Sequence, residues 1–220
     1  MKDRNIAERQ RPSRTRKPKV SGKAGIKEIP ESERSYRTQL SVLMASPFMF
    51  AIEHGDLKTV KALMDSGIVG LSVRDPSGNE PLHAAAEQKD PEVIQFLIKH
   101  GAYLETKNDQ GQTPLHVACQ HGHTEVAKLF MDLGLDVCLN DKNADTPLHT
   151  ACFHGYTPIV RLLLEAGADV SIKDAIDNTA LDKILRLPPD DPAREEILEL
   201  FREFHPDLVM EAYCTMEVRP

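Results

Sequence analysis

Long apolar stretches are missing from this 220-residue chain, although 40% of its residues are hydrophobic. No run approaches the ~20 consecutive apolar residues that a membrane-spanning helix needs, so we expect no membrane span. The first residues are charged and lack the apolar core of a secretory signal peptide. These two absences predict a soluble protein that is not secreted.

Cysteine is scarce, with four residues that form no close-spaced disulfide framework. Cys119 and Cys152 are 33 residues apart and occupy equivalent positions of the repeat described below. Free cysteine is commonly buried as a small apolar side chain, and we expect that of both. Unpaired thiols are typical of a reducing compartment, so we expect the protein in the cytoplasm, the nucleus or both.

Patterns that carry chemistry are also missing. No glycine-rich phosphate loop is present, and no Ser, His and Asp set stands out from the repeats. The nine histidines have no short-spaced cysteine pair beside them, as a tetrahedral zinc site would require. We therefore expect no catalytic residue, no metal and no cofactor.

A tetrapeptide recurs along the chain at a fixed interval. Thr-Pro-Leu-His occupies 113–116 and again 146–149, which is 33 residues later. Glu-Pro-Leu-His at 80–83 precedes them and Thr-Ala-Leu-Asp at 179–182 follows at the same interval. A fixed period of this length predicts stacked supersecondary units, because one unit cannot bury its apolar face alone.

Each unit contains the signals of two short helices. Thr113 and Thr146 stand at N-cap positions, each followed by proline at the first helical position. Gly122 and Gly155 come at the predicted turn, and apolar residues then recur at i, i+3 and i+4. The first repeat follows the same plan with Ser46 as the predicted N-cap, whereas in the second repeat Lys89 replaces the turn glycine.

The period and the T-P-L-H-x-A core resemble the ankyrin repeat family. The resemblance implies an all-α solenoid of stacked helix–turn–helix units with β-hairpin or turn tips. We expect the imidazoles of His83, His116 and His149 to bond the backbone of their own or a neighbouring unit.

The repeats divide the chain into successive segments. We predict a disordered basic tail (1–35), a lead-in capping helix (36–45), four repeats (46–79, 80–112, 113–145 and 146–178), a degenerate C-terminal capping repeat (179–205) and a C-terminal tail (206–220). In the capping repeat, we predict a longer loop at 187–192, so that the second helix starts later than in the other repeats. This helix should bury Ile197, Leu198, Leu200 and Phe201.

The tail differs from the repeats in charge. Residues 1–40 hold 12 basic and 5 acidic residues, a net charge of +7, so residues 41–220 carry −14. The basic patch is Arg9, Arg11, Arg14, Arg16, Lys17 and Lys19. It is either a nuclear import signal or a contact for nucleic acid or an acidic partner, or else a solvated tail without a receptor. The tail could also fold onto the acidic repeats and occlude them.

The family resemblance implies ligand binding on the concave side, formed by the turn tips and the first helices. The candidate partner-binding residues flank the turn glycines: His54, Glu87, Gln88, Gln120, His121, Phe153, His154 and Tyr156. Phe153 stands where the other repeats have Glu or Gln, which suits an interface anchor. The alternative is that Phe153 packs beneath the loop at 187–192. Tyr103 is a weaker candidate.

The sequence thus favours a non-catalytic adaptor, scaffold or stoichiometric regulator that binds another protein through a basic or helical segment. The acidic repeats should favour such a partner by charge complementarity. The alternative is a nuclear regulatory protein whose basic tail mediates import or nucleic-acid contact. The acidic repeats make nucleic-acid binding by the repeats themselves unfavourable. No residue set supports an enzyme.

Overall fold

The computed structural model of the protein describes residues 44–207. The basic tail at 1–35, most of the lead-in helix predicted at 36–45 and nearly all of the tail at 206–220 lie outside the described residues. The described part comprises the four repeats and the C-terminal capping unit.

The described chain is a series of antiparallel helix pairs. The helices are α1 (44–53), α2 (Leu57–Asp65), α3 (Pro81–Glu87), α4 (Pro91–Lys99), α5 (Pro114–Gln120), α6 (Thr124–Asp132), α7 (Pro147–Phe153), α8 (Thr157–Glu165), α9 (Ala180–Leu185) and α10 (Pro192–Phe204). Within 44–207 the tips between units are turns without strands, so the turn form of the prediction is observed and the β-hairpin form is not.

The first helix of each unit begins where the repeated tetrapeptide places it. Thr113 and Thr146 are N-caps in the extended region, and the following prolines occupy the first helical position. This location suits proline because the missing N–H has no intrahelical acceptor there. Ser46 is different: residues 44 and 45 are already helical, so the prediction that Ser46 caps α1 was wrong. The N–H groups it would have capped lie inside the helix.

Helices of equivalent position stack on one another. The short first helices α3, α5, α7 and α9 contact their neighbours more closely than the second helices α2, α4, α6 and α8 do. The stack therefore curves with the first helices on its inner side. Leu82, Leu115 and Leu148 of these helices are almost completely buried, and residues such as Val60, Leu97 and Leu163 of the second helices are buried with them. The core is thus continuous from unit to unit.

The turns inside each pair require a left-handed backbone. Gly122 and Gly155 have φ values of +71° and +70°, which glycine adopts without steric cost. Lys89 takes the same position in the second repeat with φ +58°. There Asp90 still caps the next helix, because its carboxylate accepts from the N–H groups of Glu92 and Val93.

A ladder of hydrogen bonds connects the tips. One Asp or Asn recurs every 33 residues and its Oδ1 accepts two backbone N–H groups of its own tip; these residues are Asp75, Asn108, Asp141 and Asp174. Successive tips are joined by backbone bonds such as Lys142 N–H to the Gln110 carbonyl at 2.9 Å. The tips therefore form one hydrogen-bonded edge of the stack.

The last helix pair closes the stack. Asp191 caps α10, which begins at Pro192, the last residue of the loop predicted at 187–192. Ile197, Leu198, Leu200 and Phe201 are buried, which confirms the predicted apolar face. Glu195, Glu196 and Glu199 face solvent on the other side. A polar outer face of this kind is what the end of a solenoid requires.

Candidate functional site

Three imidazoles join the first helices to the tips. In α5, the Thr113 N–H donates to His116 Nδ1 at 3.2 Å, and the Thr113 hydroxyl lies 2.8 Å from the same nitrogen. Because Nδ1 is an acceptor, the proton of the neutral ring is on Nε2, which donates to the Asp145 carbonyl at 3.1 Å. His83 and His149 bond Gln112 and Asn178 in the same way. The prediction for this slot is confirmed.

The environment keeps these rings neutral. Burial lowers the pKa of His116 to about 4, and burial also lowers the pKa of His83 and of His149. Both nitrogens of each ring are engaged, so the three histidines hold the fold together rather than await a ligand. Within residues 44–207, no group of three or more His, Cys, Asp or Glu side chains is arranged to hold a metal ion.

The equivalent cysteines are structural as well. Cys119 and Cys152 are buried free thiols, as predicted. Burial raises the pKa of both thiols, so neither forms the thiolate that nucleophilic chemistry requires. Their role is to fill the space between stacked helices.

Phe153 is exposed and does not pack beneath the loop at 187–192. Its side chain is 56% exposed at the end of α7. Leu187 of the loop and Ala193 at the start of α10 lie instead over Gly155, where an added Cβ would meet them at 3.8 Å and 3.2 Å. The loop therefore covers the turn and leaves the Phe153 ring in solvent.

Phe153 borders a recess of about 270 Å³ between the inner helices and the tips. We call it the Phe153 recess, and its lining residues are Gln112, Gln120, Asp141, Asn143, Asp145, His149, Thr150, Phe153, His154 and Lys183. Three of the predicted residues, Gln120, Phe153 and His154, meet there. Gln112 Nε2 donates to Gln120 Oε1 at 3.3 Å.

Rings cluster beside the recess. His154 contacts Phe153 edge-to-face at 5.1 Å between centroids and stacks on Tyr156 at 5.7 Å. Partial burial and the neighbouring His121 lower the pKa of His154, so this ring is neutral near pH 7. Tyr156 is partly buried, because it packs against Gly122. Phe153 is thus an exposed hydrophobic ring beside the recess.

The remaining predicted residues lie elsewhere. His54 and Gln88 line a separate recess at the turns of the first two repeats, together with Lys89 and Asp90. The Glu87 carbonyl accepts from His123 Nε2 at 2.7 Å, which ties the second and third repeats together. The basic patch from Arg9 to Lys19 lies outside the described residues. Among the described candidate residues, His54 and Gln88 thus line one recess, and Gln120, Phe153 and His154 line another.

One group of charges escaped the sequence prediction. Lys183 Nζ in α9 lies 2.7 Å from the Asp174 carboxylate and 3.0 Å from that of Asp145, and the Lys183 side chain is 12% exposed. Burial opposes the charges, but the hydrogen bonds outweigh it: they raise the pKa of Lys183 and hold the pKa of Asp174 well below its ordinary value. The sequence did contain a signal for this group, because Lys183 occupies the repeat position at which earlier repeats have Ala84 and Val117.

The repeat geometry agrees with the comparisons to known proteins. A family profile described as "Ankyrin repeats (3 copies)" matches residues 35–108 and 103–174. Two proteins named "BTB/POZ domain and ankyrin repeat-containing protein NPR1", from Oryza sativa subsp. indica and subsp. japonica, are each 36% identical over 53 residues. That match covers 24% of this chain and 9% of each relative. Among residues 44–207, no helix is long and apolar enough to cross a bilayer.

Proposed function

Because the chain belongs to the ankyrin repeat family, we propose that it is an adaptor or stoichiometric regulator that binds a protein partner on its inner surface. Ankyrin repeats are generally protein–protein interaction modules. More specifically, we place the contact around the Phe153 recess and infer that the protein is non-catalytic.

The exposure of Phe153 carries this proposal. A large exposed aromatic ring gains free energy when another molecule covers it, and aromatic rings are enriched among the residues that dominate binding energy at interfaces. The ring projects from the end of a helix whose other residues, apart from Thr150, are buried. Little ordering is then required on binding, because the surface is already formed.

The chemistry of the same region supports a non-catalytic role. The buried histidines near it are engaged in structural hydrogen bonds. The buried thiols near it stay protonated at neutral pH. The lysine that lines the recess, Lys183, is held by Asp145 and Asp174. The surface offers shape, one apolar ring, hydrogen-bonding amides and negative charge.

Affinity capture with the full chain tests the proposal. We would compare partners retained by the wild type, by Phe153→Ala and by Tyr103→Ala. Tyr103 is the matched control, because it is also a surface aromatic, with 59% exposure, and lines a different recess with Met64 and Leu71. Thermal melts of the three proteins would establish that each is folded.

We expect a set of proteins that Phe153→Ala loses by about tenfold or more and Tyr103→Ala retains. Equal retention by wild type and Phe153→Ala would show that the inner surface at this recess is not the working surface. We would leave Tyr156 unchanged, because its contact with Gly122 makes its substitution a packing change.

A second candidate function rests on the charge asymmetry. The described residues 44–207 hold 27 acidic and 14 basic residues, whereas residues 1–43 hold 5 and 12. Under this hypothesis the basic tail mediates nuclear import or contacts nucleic acid, and the protein resides in the nucleus as well as the cytoplasm. Replacing Arg9, Arg11, Arg14 and Arg16 by Gln should abolish nuclear accumulation of a tagged full chain. An unchanged distribution would reject the import role.

A further inference from the structure

We propose that the Phe153 recess is a subsite for one arginine side chain of the partner protein. This inference rests on the proposed function and specifies the chemistry that the inner surface recognises. Three features of the recess carry it: its size, its exposed ring and its carboxylates.

The size of the recess suits one side chain. At about 270 Å³ it lies below the ~300–1,000 Å³ typical of pockets for small-molecule ligands. It opens on the inner surface between α7 and the tip that contains Asp141 and Asn143. A segment lying along the inner surface can therefore insert one long residue there.

The two walls of the recess differ in chemistry. Phe153 supplies an aromatic ring on the helix side. On the tip side, Asp141 Oδ1 accepts from the N–H groups of Asn143 and Asp145 at 2.7 and 3.0 Å. Asp141 Oδ2 has no hydrogen-bond or ion-pair partner among residues 44–207. The fixed Oδ1 contacts orient the carboxylate and leave this second oxygen available.

The charge of the recess favours a cation. Lys183 is the basic residue in its lining, and Asp174 and Asp145 neutralise its ammonium. Asp141 then adds an uncompensated negative charge. An anionic ligand would face two carboxylates, and a neutral apolar one would leave Asp141 desolvated without a partner.

Arginine fits these walls better than lysine does. The planar guanidinium stacks on an aromatic face and donates several N–H groups in one plane, which matches a recess lined by both Phe153 and Asp141. The lysine ammonium is a strongly hydrated point charge and gains less from stacking. Asn143 adds a side-chain amide to the lining, whereas Gln120 Oε1 already accepts from Gln112.

The test uses capped amino acids and the ¹⁵N-labelled full chain. Nα-acetyl-arginine N-methylamide would be titrated while the amide signals of Asn143, Thr150 and Phe153 are followed by NMR. Nα-acetyl-citrulline N-methylamide is the neutral isostere, and the lysine derivative is the second comparison. We expect saturable shifts with the arginine derivative and at least about fivefold weaker binding of the other two.

Variants assign the contacts. Asp141→Asn should weaken binding of the arginine derivative roughly threefold to tenfold, and Phe153→Leu by about threefold. Asp132→Asn, on the exposed end of α6, is the charge-matched control and should change nothing. Equal effects of Asp141→Asn and Asp132→Asn, or equal affinity for arginine and either analogue, would overturn the inference.

A last variant tests whether the chain's own tail occupies the recess. It is the full chain with four arginines replaced by Gln: Arg9, Arg11, Arg14 and Arg16. If this variant binds the arginine derivative and the wild type does not, the recess is an arginine subsite that the chain's own tail occupies. If neither protein binds, the inference fails. Loss of partners on Phe153→Ala without arginine binding would leave the proposed function standing and reject only the subsite.

Discussion

A single imidazole at each repeated slot links the start of a helix to the following tip. His116 accepts from Thr113 and donates to Asp145, so its neutral form satisfies three backbone or hydroxyl groups in a buried site. Protonation would turn the Nδ1 acceptor into a donor that faces another donor. The fold therefore depends on keeping this ring uncharged.

This dependence predicts acid sensitivity. The pKa of His116 is about 4 in the folded protein and ~6.5 in an unfolded chain, so the unfolded state takes up the proton first. The stabilisation is complete above pH 6.5 and is lost as pH falls toward 4, on the order of 3 kcal/mol for this residue. Urea unfolding at a series of pH values from 7.5 to 4.5 measures this loss of stability.

The matched variant is His116→Gln, which keeps an amide donor but does not titrate. We expect it to be less stable than the wild type at pH 7.5, by about 1–3 kcal/mol, and to lose less stability on acidification. A slope against pH equal to that of the wild type would assign the acid sensitivity to other groups.

Lys89 shows the opposite situation, in which the residue type conflicts with its backbone. Its φ of +58° is a conformation that costs a non-glycine residue about 1 kcal/mol. The ion pair with Glu125 is 3.7 Å long and exposed on both sides, and such pairs contribute little. Lys89→Gly should therefore raise the free energy of unfolding by about 1 kcal/mol.

Urea denaturation would measure this effect against Lys128→Gly. Lys128 is an exposed lysine in the middle of α6, where glycine should lower the stability by about 1 kcal/mol. The two substitutions change the same residue types, so opposite signs would isolate the backbone conformation. A loss of stability in Lys89→Gly would contradict the strain argument.

At the scale of elements, the tips depend on close approach of neighbouring backbones. Gly111 has φ +77°, and an added Cβ would lie 2.9 Å from the backbone nitrogen of Lys142 in the next tip. Gly134 has φ +79° and nothing within 4 Å of the same position. The two glycines share a conformation and differ in what surrounds them.

Substitution by alanine separates these two requirements. Gly134→Ala should lower the free energy of unfolding by about 1 kcal/mol through its backbone alone. Gly111→Ala should lower it by about 1–3 kcal/mol more, because the Lys142 backbone has to move and its bond to Gln110 is strained. If chemical denaturation shows the same loss of stability for Gly134→Ala and Gly111→Ala, neighbouring tips can move apart without a cost in stability.

At the scale of the whole molecule, Lys183 joins the capping unit to two tips. Its ammonium bridges Asp145, in the tip before α7, and Asp174, in the tip before α9. The Asp174 side chain is only 3% exposed, so removing the lysine would leave a buried carboxylate without its cation. We expect Lys183→Met to lower the free energy of unfolding by about 3 kcal/mol.

The double substitution Lys183→Met with Asp174→Asn should recover part of that loss, because it removes the unpaired charge as well. Lys142→Met, at an exposed tip position, is the control and should change stability by less than about 0.5 kcal/mol. An effect of Lys183→Met no larger than that of Lys142→Met would show that the bridge contributes nothing.

The repeat, most of the caps and the buried slots were predictable from the amino-acid order alone. Thr113, Pro114 and Gly122 act through local backbone preferences, and the 33-residue spacing places His116, Cys119 and their equivalents in the same environment in each unit. Such features are predictable because each depends on neighbours close in the chain. The same logic failed at Ser46, where the helix extends back beyond the assumed cap.

Contacts between side chains of different units were not predictable in this way, because they depend on the three-dimensional packing. The Lys183 bridge joins residues 38 positions apart, and Phe153 stays exposed because the loop at 187–192 lies over Gly155 instead. Gln120, Phe153 and His154 meet at one recess for the same reason. Their positions depend on how each unit rotates against the next, and local preferences do not specify that rotation.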